Sequence, residues 1–295
     1  MIKTPTIKIL ENVFNDVFEN ANSVNIPRAI FIAGQPGAGK GGVVDDLMKR
    51  EKGNFVIINT DDLRKYHPLY DKIMSENPED VYPKLNPFAN ILADKIYKKA
   101  IEEKKQIIFD GTFGSGYEWQ KNNYIKTLKN NKYKIELAAL SANSIISTIG
   151  INYRPAYLSS IDVSKNYRPV PFNVHNQIFD LIPKNINDAV KNKLFDKFYL
   201  YRRNNLKFGA IQVKSYNKLF GNFFIKDFNT ERYRKLMPNE KLNLNEFFKK
   251  TLKFLKIRNG KGSIKEKQFL TEMNEAKLFF TKNKNLTRKY KKIKL

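Results

Sequence analysis

Seven consecutive residues, Gly34-Gln35-Pro36-Gly37-Ala38-Gly39-Lys40, have the types and spacing to hold an anion. Glycines let successive backbone N–H groups turn toward one concave site, and a lysine at the mouth of a helix adds a mobile positive charge. Lys40 would reach the β- and γ-phosphates of a nucleoside triphosphate cradled by Gly34, Gln35, Pro36, Gly37, Ala38, Gly39 and Gly41. An ordinary turn is the alternative, and the apolar run Ala29 to Ala33 just before the glycines argues against it. One position departs from the pattern. Where a serine or threonine hydroxyl would hold Mg²⁺, this chain has Gly41, followed by Gly42.

Acids recur at positions that a strand's carboxyl end would place beside such a loop. Phe55-Val56-Ile57-Ile58-Asn59 reads as a short buried strand and ends in Thr60-Asp61-Asp62-Leu63-Arg64. Open α/β sheets bind ligands at that edge. Asp61 reads as the group that accepts a proton from a substrate hydroxyl. Asp62 is left between a substrate contact and an N-cap for the next helix. Gln106-Ile107-Ile108-Phe109 is a further strand, and it ends in Asp110-Gly111-Thr112, where Asp110 could hold substrate or a water on Mg²⁺. Arg154, in Asn152-Tyr153-Arg154-Pro155, and Arg168, in Asn166-Tyr167-Arg168-Pro169, read as loop arginines able to clamp transferring phosphates. His67 reads as a packed loop histidine.

The elements that must position these groups follow from hydrophobic period. Ile7, Leu10, Phe14, Val17 and Phe18 recur at helical spacing and predict an amphipathic helix over 7–21. A helix is expected from Val43, a loop-like stretch from Tyr70 to Pro83, and helices over Ile91–Lys104, Trp119–Leu128, Ser144–Asn152 and Pro171–Leu181. Tyr133–Leu140 is a fourth strand. Strands alternating with helices predict right-handed crossovers and a parallel sheet. Phe195–Tyr201 and Phe208–Tyr216 suit a hairpin across Arg203-Asn204-Asn205, and 242–257 and 264–281 read as basic amphipathic helices.

Composition narrows the class. The chain has 295 residues, 41% apolar and 13% aromatic, enough for a real core, and no cysteine, which excludes disulfides, zinc thiolate sites and a cysteine nucleophile. The first 25 residues lack the apolar run of a signal peptide, and no later run is long enough to span a bilayer, so a soluble chain of the cytoplasm is expected, with no transmembrane segment. Net charge is +25, and 30 of the 54 basic but only 9 of the 29 acidic residues fall in 181–295. That region could meet nucleic acid, an anionic surface or an acidic protein, or be merely a solvated face.

Taken together these residues resemble the zeta-toxin family of P-loop kinases. The resemblance covers about residues 25–205 and rests on Gly34 to Lys40, Asn59 to Pro68, Asn86-Pro87-Phe88-Ala89-Asn90, Asp110-Gly111-Thr112, and Arg168 with Pro171 and His175, in that order. It implies an α/β fold, a P-loop kinase-like parallel sheet flanked by helices over 1–205, with a basic, mainly helical extension over 206–295. It implies transfer of the γ-phosphate of ATP or GTP, with Mg²⁺, to a sugar hydroxyl of UDP-N-acetylglucosamine. Lys40 would be the phosphate lysine, Asp61 the base and Arg168 a clamping arginine, with Arg154 the nearest candidate for its companion. Asn90 and Thr112 would line the acceptor pocket, and Asp110 stands where the family has Glu. An antitoxin protein is the implied partner. The basic extension keeps open an acceptor such as NAD or a nucleic-acid end, and Gly41 keeps open a nucleotide-binding regulator with little turnover.

Overall fold

In the computed structural model, residues 4–162, 170–203 and 209–292 are described, with backbone only for Arg258 and for 279–292. The elements run α1 (Ile7–Phe18), β1 (Arg28–Ala33), α2 (Gly41–Arg50), β2 (Val56–Ile58), α3 (Thr60–Leu63), α4 (Tyr70–Glu76), α5 (Val81–Glu102) and β3 (Ile107–Phe109). Then come α6 (Tyr117–Gln120), a π turn (Lys121–Ile125), α7 (Lys126–Asn130), β4 (Lys134–Ser141), α8 (Ser144–Ile161) and α9 (Phe172–Lys191). The hairpin strands β5 (Lys197–Arg203) and β6 (Ala210–Asn217) lead to α10 (Gly221–Tyr233), α11 (Pro238–Asn259) and α12 (Ile264–Lys292).

One six-stranded sheet carries the fold, in the order β2-β3-β1-β4-β5-β6. Its first five strands are parallel and β6 returns antiparallel along β5. The expected parallel sheet flanked by helices is what forms, with one antiparallel edge strand. Side chains alternate faces along a strand, so β1 divides its residues between two cores. Ala29, Phe31 and Ala33 join the layer under α1, α5, α9 and α10, whereas Ile30 and Ile32 meet Val43 and Leu47 of α2. A third cluster joins Ile149 and Ala156 of α8 to Leu255 of α11 and to Phe269 and Met273 of α12.

Four expectations need correction. The stretch from Tyr70 to Pro83 is not a loop: α4 and a 3₁₀ turn over Pro78–Asp80 fill most of it, and α5 starts at Val81, ten residues before Ile91. Pro83 sits in the first turn of α5, where its missing N–H has no intrahelical acceptor to lose. Asn86 to Asn90 are therefore helical. Likewise α8 runs on through Pro155 to Ile161, so Arg154 stands on a helix and not in a loop. The cap of α3 is neither aspartate; Asn59 Oδ1 accepts the Asp61 N–H at 2.9 Å.

Candidate functional site

The phosphate loop leaves β1 at the carboxyl edge of the sheet, with β3 on one side and β4 on the other. Gly37 and Gly39 have φ of +75° and +101°, which side-chain-bearing residues rarely adopt. Gly37 is also pressed onto α8, where a Cβ would fall 2.1 Å from the Ser147 carbonyl oxygen. The two glycines that open α2 differ sharply. A Cβ on Gly42 would lie 2.4 Å from the backbone nitrogen of Ala210, whereas a Cβ on Gly41 would meet nothing within 4 Å. Gly42 is required by packing; Gly41 is not.

Strand ends bring the acids to this loop. The Gly34 N–H donates to the Thr112 carbonyl at 3.2 Å, tying the loop to the chain beyond β3, and the Thr112 hydroxyl accepts the Gly114 N–H at 3.3 Å. Asp110 Oδ2 accepts from the Asn59 side chain at 2.9 Å, so the ends of β2 and β3 are clasped together. Burial and the charges of Asp62 and Asp61 push the Asp110 carboxyl up, against the opposing pull of Lys40. Lys40 is shifted down by burial, with Asp110 and Asp61 opposing that shift and Arg154 adding to it. Lys40 is therefore close enough to feel the charges of Asp110, Asp61 and Arg154, and Asp110 those of Lys40, Asp62 and Asp61. The alternation of sign suits a site that neutralises a polyphosphate while holding an acceptor hydroxyl.

Asp61 keeps its carboxylate largely exposed, and its Oδ1 lies 2.6 Å from Arg64 Nη2. That same nitrogen donates to Asn86 Oδ1 at 2.9 Å, and the guanidinium lies 5.0 Å from the centre of the Tyr82 ring. Arg64, held by two residues of α5, thus fixes the direction in which Asp61 points. Asn90 is exposed one helical turn beyond Asn86. His67 is buried as expected of a packing residue: its Nδ1 accepts the Leu69 N–H at 3.1 Å, and its ring meets Phe88 edge-on at 4.8 Å. Arg168 lies outside the described residues.

Three arginines had no role in the sequence reading. Arg64 carries a local signal, its three-residue helical spacing from Asp61. Arg203, at the end of β5, donates to the Gly37 carbonyl at 3.2 Å and lies 5.7 Å from the centre of the Phe247 ring. Burial lowers its guanidinium to about 10. Arg232, on α10, is fully buried and reaches Gln35. Nothing local marks the last two.

A family model described as Zeta toxin matches residues 12–211. The chain belongs to the zeta toxin family. It is 25% identical over 207 residues to the zeta toxin of Streptococcus pyogenes, spanning 68% of this chain and 71% of the relative. To toxin PezT of Streptococcus pneumoniae it is 27% identical over 180 residues, 60% of this chain and 69% of that one. Zeta toxins are phosphotransferases of the kinase type, and that coarse class holds for this family member. Among solved structures, one from the PezAT chromosomal toxin–antitoxin system of Streptococcus pneumoniae superposes with a TM-score of 0.71 at 19% identity, over 87% of this chain and 99% of its own. The AvrRxo1-ORF1:AvrRxo1-ORF2 complex with ATP gives 0.55 at 13% identity, over 90% and 88%. At such identities these two speak for the fold alone. No helix among the described residues is long and apolar enough to cross a membrane.

Proposed function

We propose that this zeta toxin family member transfers the γ-phosphoryl group of ATP or GTP to a hydroxyl of a nucleotide sugar such as UDP-N-acetylglucosamine. The observation that supports it most is the placement of Lys40, at the mouth of the phosphate loop and within the electrostatic reach of Asp61, Asp110 and Arg154. The loop amides and Lys40 bind the phosphate chain. Arg154 adds positive charge where the transferring group gains negative charge, and Arg168 is assigned the same task by family resemblance. Asp61, oriented by Arg64, accepts the acceptor's hydroxyl proton, and Asn90 and Thr112 line the acceptor side. Transfer breaks the bond from the γ-phosphorus to the β–γ bridging oxygen and forms one to the acceptor oxygen, and the nucleoside diphosphate leaves.

Mg²⁺ is tested by the residues present. No cluster of three acidic or histidine side chains among the described residues could hold a metal alone. Mg²⁺ needs no such cage, because one carboxylate, phosphate oxygens and waters complete its shell. Asp110 would supply the carboxylate, and the open space at Gly41 would admit a water where a hydroxyl would stand. When bound, the ion would neutralise charge on the β- and γ-phosphates. Kinship in sequence to toxin PezT, whose solved structure comes from a toxin–antitoxin system, supports an antitoxin as protein partner.

The test is transfer of labelled γ-phosphate from ATP by the purified chain to UDP-N-acetylglucosamine, NAD or a short oligonucleotide. Label in the nucleotide sugar is the expected result. Label only in NAD or the oligonucleotide would move the acceptor and keep the kinase; label in none of them would count against phosphotransfer to these classes.

A further inference from the structure

Behind the phosphate loop runs a buried chain of polar groups that the reaction itself does not use. Gln35, Ser147, His175 and Arg232 all have no exposed surface. Arg232 Nη1 of α10 donates to Gln35 Oε1 at 3.4 Å, and its Nη2 donates to the Phe179 carbonyl. Gln35 Nε2 donates to the Ala142 carbonyl at 2.8 Å and reaches Ser147 Oγ of α8 at 3.2 Å. Ser147 Oγ lies 2.8 Å from His175 Nε2 of α9, and His175 Nδ1 lies 2.9 Å from Asn176 Oδ1. Ser147 Oγ also lies 3.2 Å from the carbonyls of Asn143 and Ser144, and with its one proton on the shorter contact to Nε2 a single direction runs through the chain. The arginine donates to the glutamine, the glutamine to the serine, the serine to Nε2, and Nδ1–H to the asparagine.

Such a chain needs an explanation, because burying a guanidinium is costly. Arg232 is packed on the face of Phe179, 3.3 Å from its ring centre, and burial lowers its guanidinium to about 10. A well-packed apolar residue at this position would commonly serve stability as well or better. An arginine makes sense if its charge and its hydrogen bonds serve the anion on the other side of the loop. Its one link to that loop is Gln35, the residue that also fastens the loop to β4's end and to α8.

We propose that Arg232 is a positioning residue for the nucleotide, acting through Gln35 to hold the phosphate loop in its anion-binding shape. The helix that supplies it, α10, begins beyond the matched family segment, which ends at residue 211. The kinase centre of this chain therefore extends into the C-terminal third. The inference rests on the proposed nucleotide binding, and the experiment separates the two.

ATP binding is measured by calorimetry on the full chain and on Arg232→Met, Gln35→Leu and the double variant, with melting temperatures alongside. Each single change is expected to weaken ATP about tenfold, the size of losing a hydrogen bond to a charged group. The double variant should be no weaker than the worse single, because both cut one link. In the transfer assay of Arg232→Met, KM for ATP should rise while kcat and the acceptor KM hold. Should Arg232→Met fail to fold, Ser147→Ala removes a single oxygen from the same chain and should weaken ATP a few-fold. Affinity within twofold of wild type in a folded Arg232→Met or Ser147→Ala protein, or losses that multiply in the double variant, would overturn the proposal. Wild-type protein that binds neither ATP nor GTP would overturn the nucleotide reading and this inference with it.

Discussion

Gly41 stands where a hydroxyl would hold Mg²⁺, and the geometry around it makes Gly41→Ser a sharp experiment. A Cβ there meets nothing within 4 Å, so the serine enters without displacing any described atom. It lies at the first position of α2, where serine is better than glycine by about 0.5 kcal/mol of helix propensity. Stability should thus rise slightly, with a melting temperature about 1–2 °C higher. The hydroxyl would replace a water in the shell of a bound Mg²⁺, and a ligand fixed in place is worth about tenfold in metal affinity, or about 1.4 kcal/mol. The assay is transfer rate against Mg²⁺ concentration at saturating ATP. The half-maximal Mg²⁺ concentration should fall about tenfold in Gly41→Ser. The same curve for both proteins, with the variant folded and binding ATP, would refute the reasoning that an open, water-filled position replaces the hydroxyl.

Two further outcomes follow from neighbouring residues. Gly37→Ala combines a strained φ of +75° with a Cβ 2.1 Å from the Ser147 carbonyl, so α8 must shift; about 2–4 kcal/mol should be lost and the melting temperature should drop about 5–10 °C in thermal denaturation. His175 is lowered to about 4, chiefly by burial, with Arg232 adding to the effect and Asn176 opposing it. The unfolded chain then binds the extra proton between about pH 6.5 and pH 4, so stability falls as pH drops through that window, by about 3 kcal/mol in full. Denaturant melts of wild type and His175→Gln at pH 7 and pH 4.5 check this, and the variant should show the smaller pH loss.

The candidate site was legible where its residues are local in sequence. Glycine spacing before Lys40 marked the phosphate loop, and Asp61 and Asp110 each follow an apolar run that becomes a sheet strand. Arg203 and Arg232 were not legible. Their partners Gly37 and Gln35 lie 166 and 197 residues away, and only the completed sheet brings them together. Two of the helical boundaries that failed did so at prolines. Pro83 and Pro155 carry the composition of loops, yet one falls in a first turn and the other in a helix held by packing. Ile149 and Ala156, on either side of Pro155, are buried against α11 and α12, and that tertiary burial outweighs the local cost. Asp62 read as a possible cap because aspartate caps well; Asn59, one residue before the helix, took that role.

The central claim is that Asp61 activates an acceptor hydroxyl for attack on a triphosphate held by Lys40. Its most direct test is transfer from labelled ATP to UDP-N-acetylglucosamine by wild type and Asp61→Asn, with ATP affinity measured on the same preparations. Loss of a positioned base should slow transfer by about 10²- to 10⁴-fold while ATP affinity stays within about twofold. Equal transfer by the two proteins, or no transfer by wild type that binds ATP, would contradict the account.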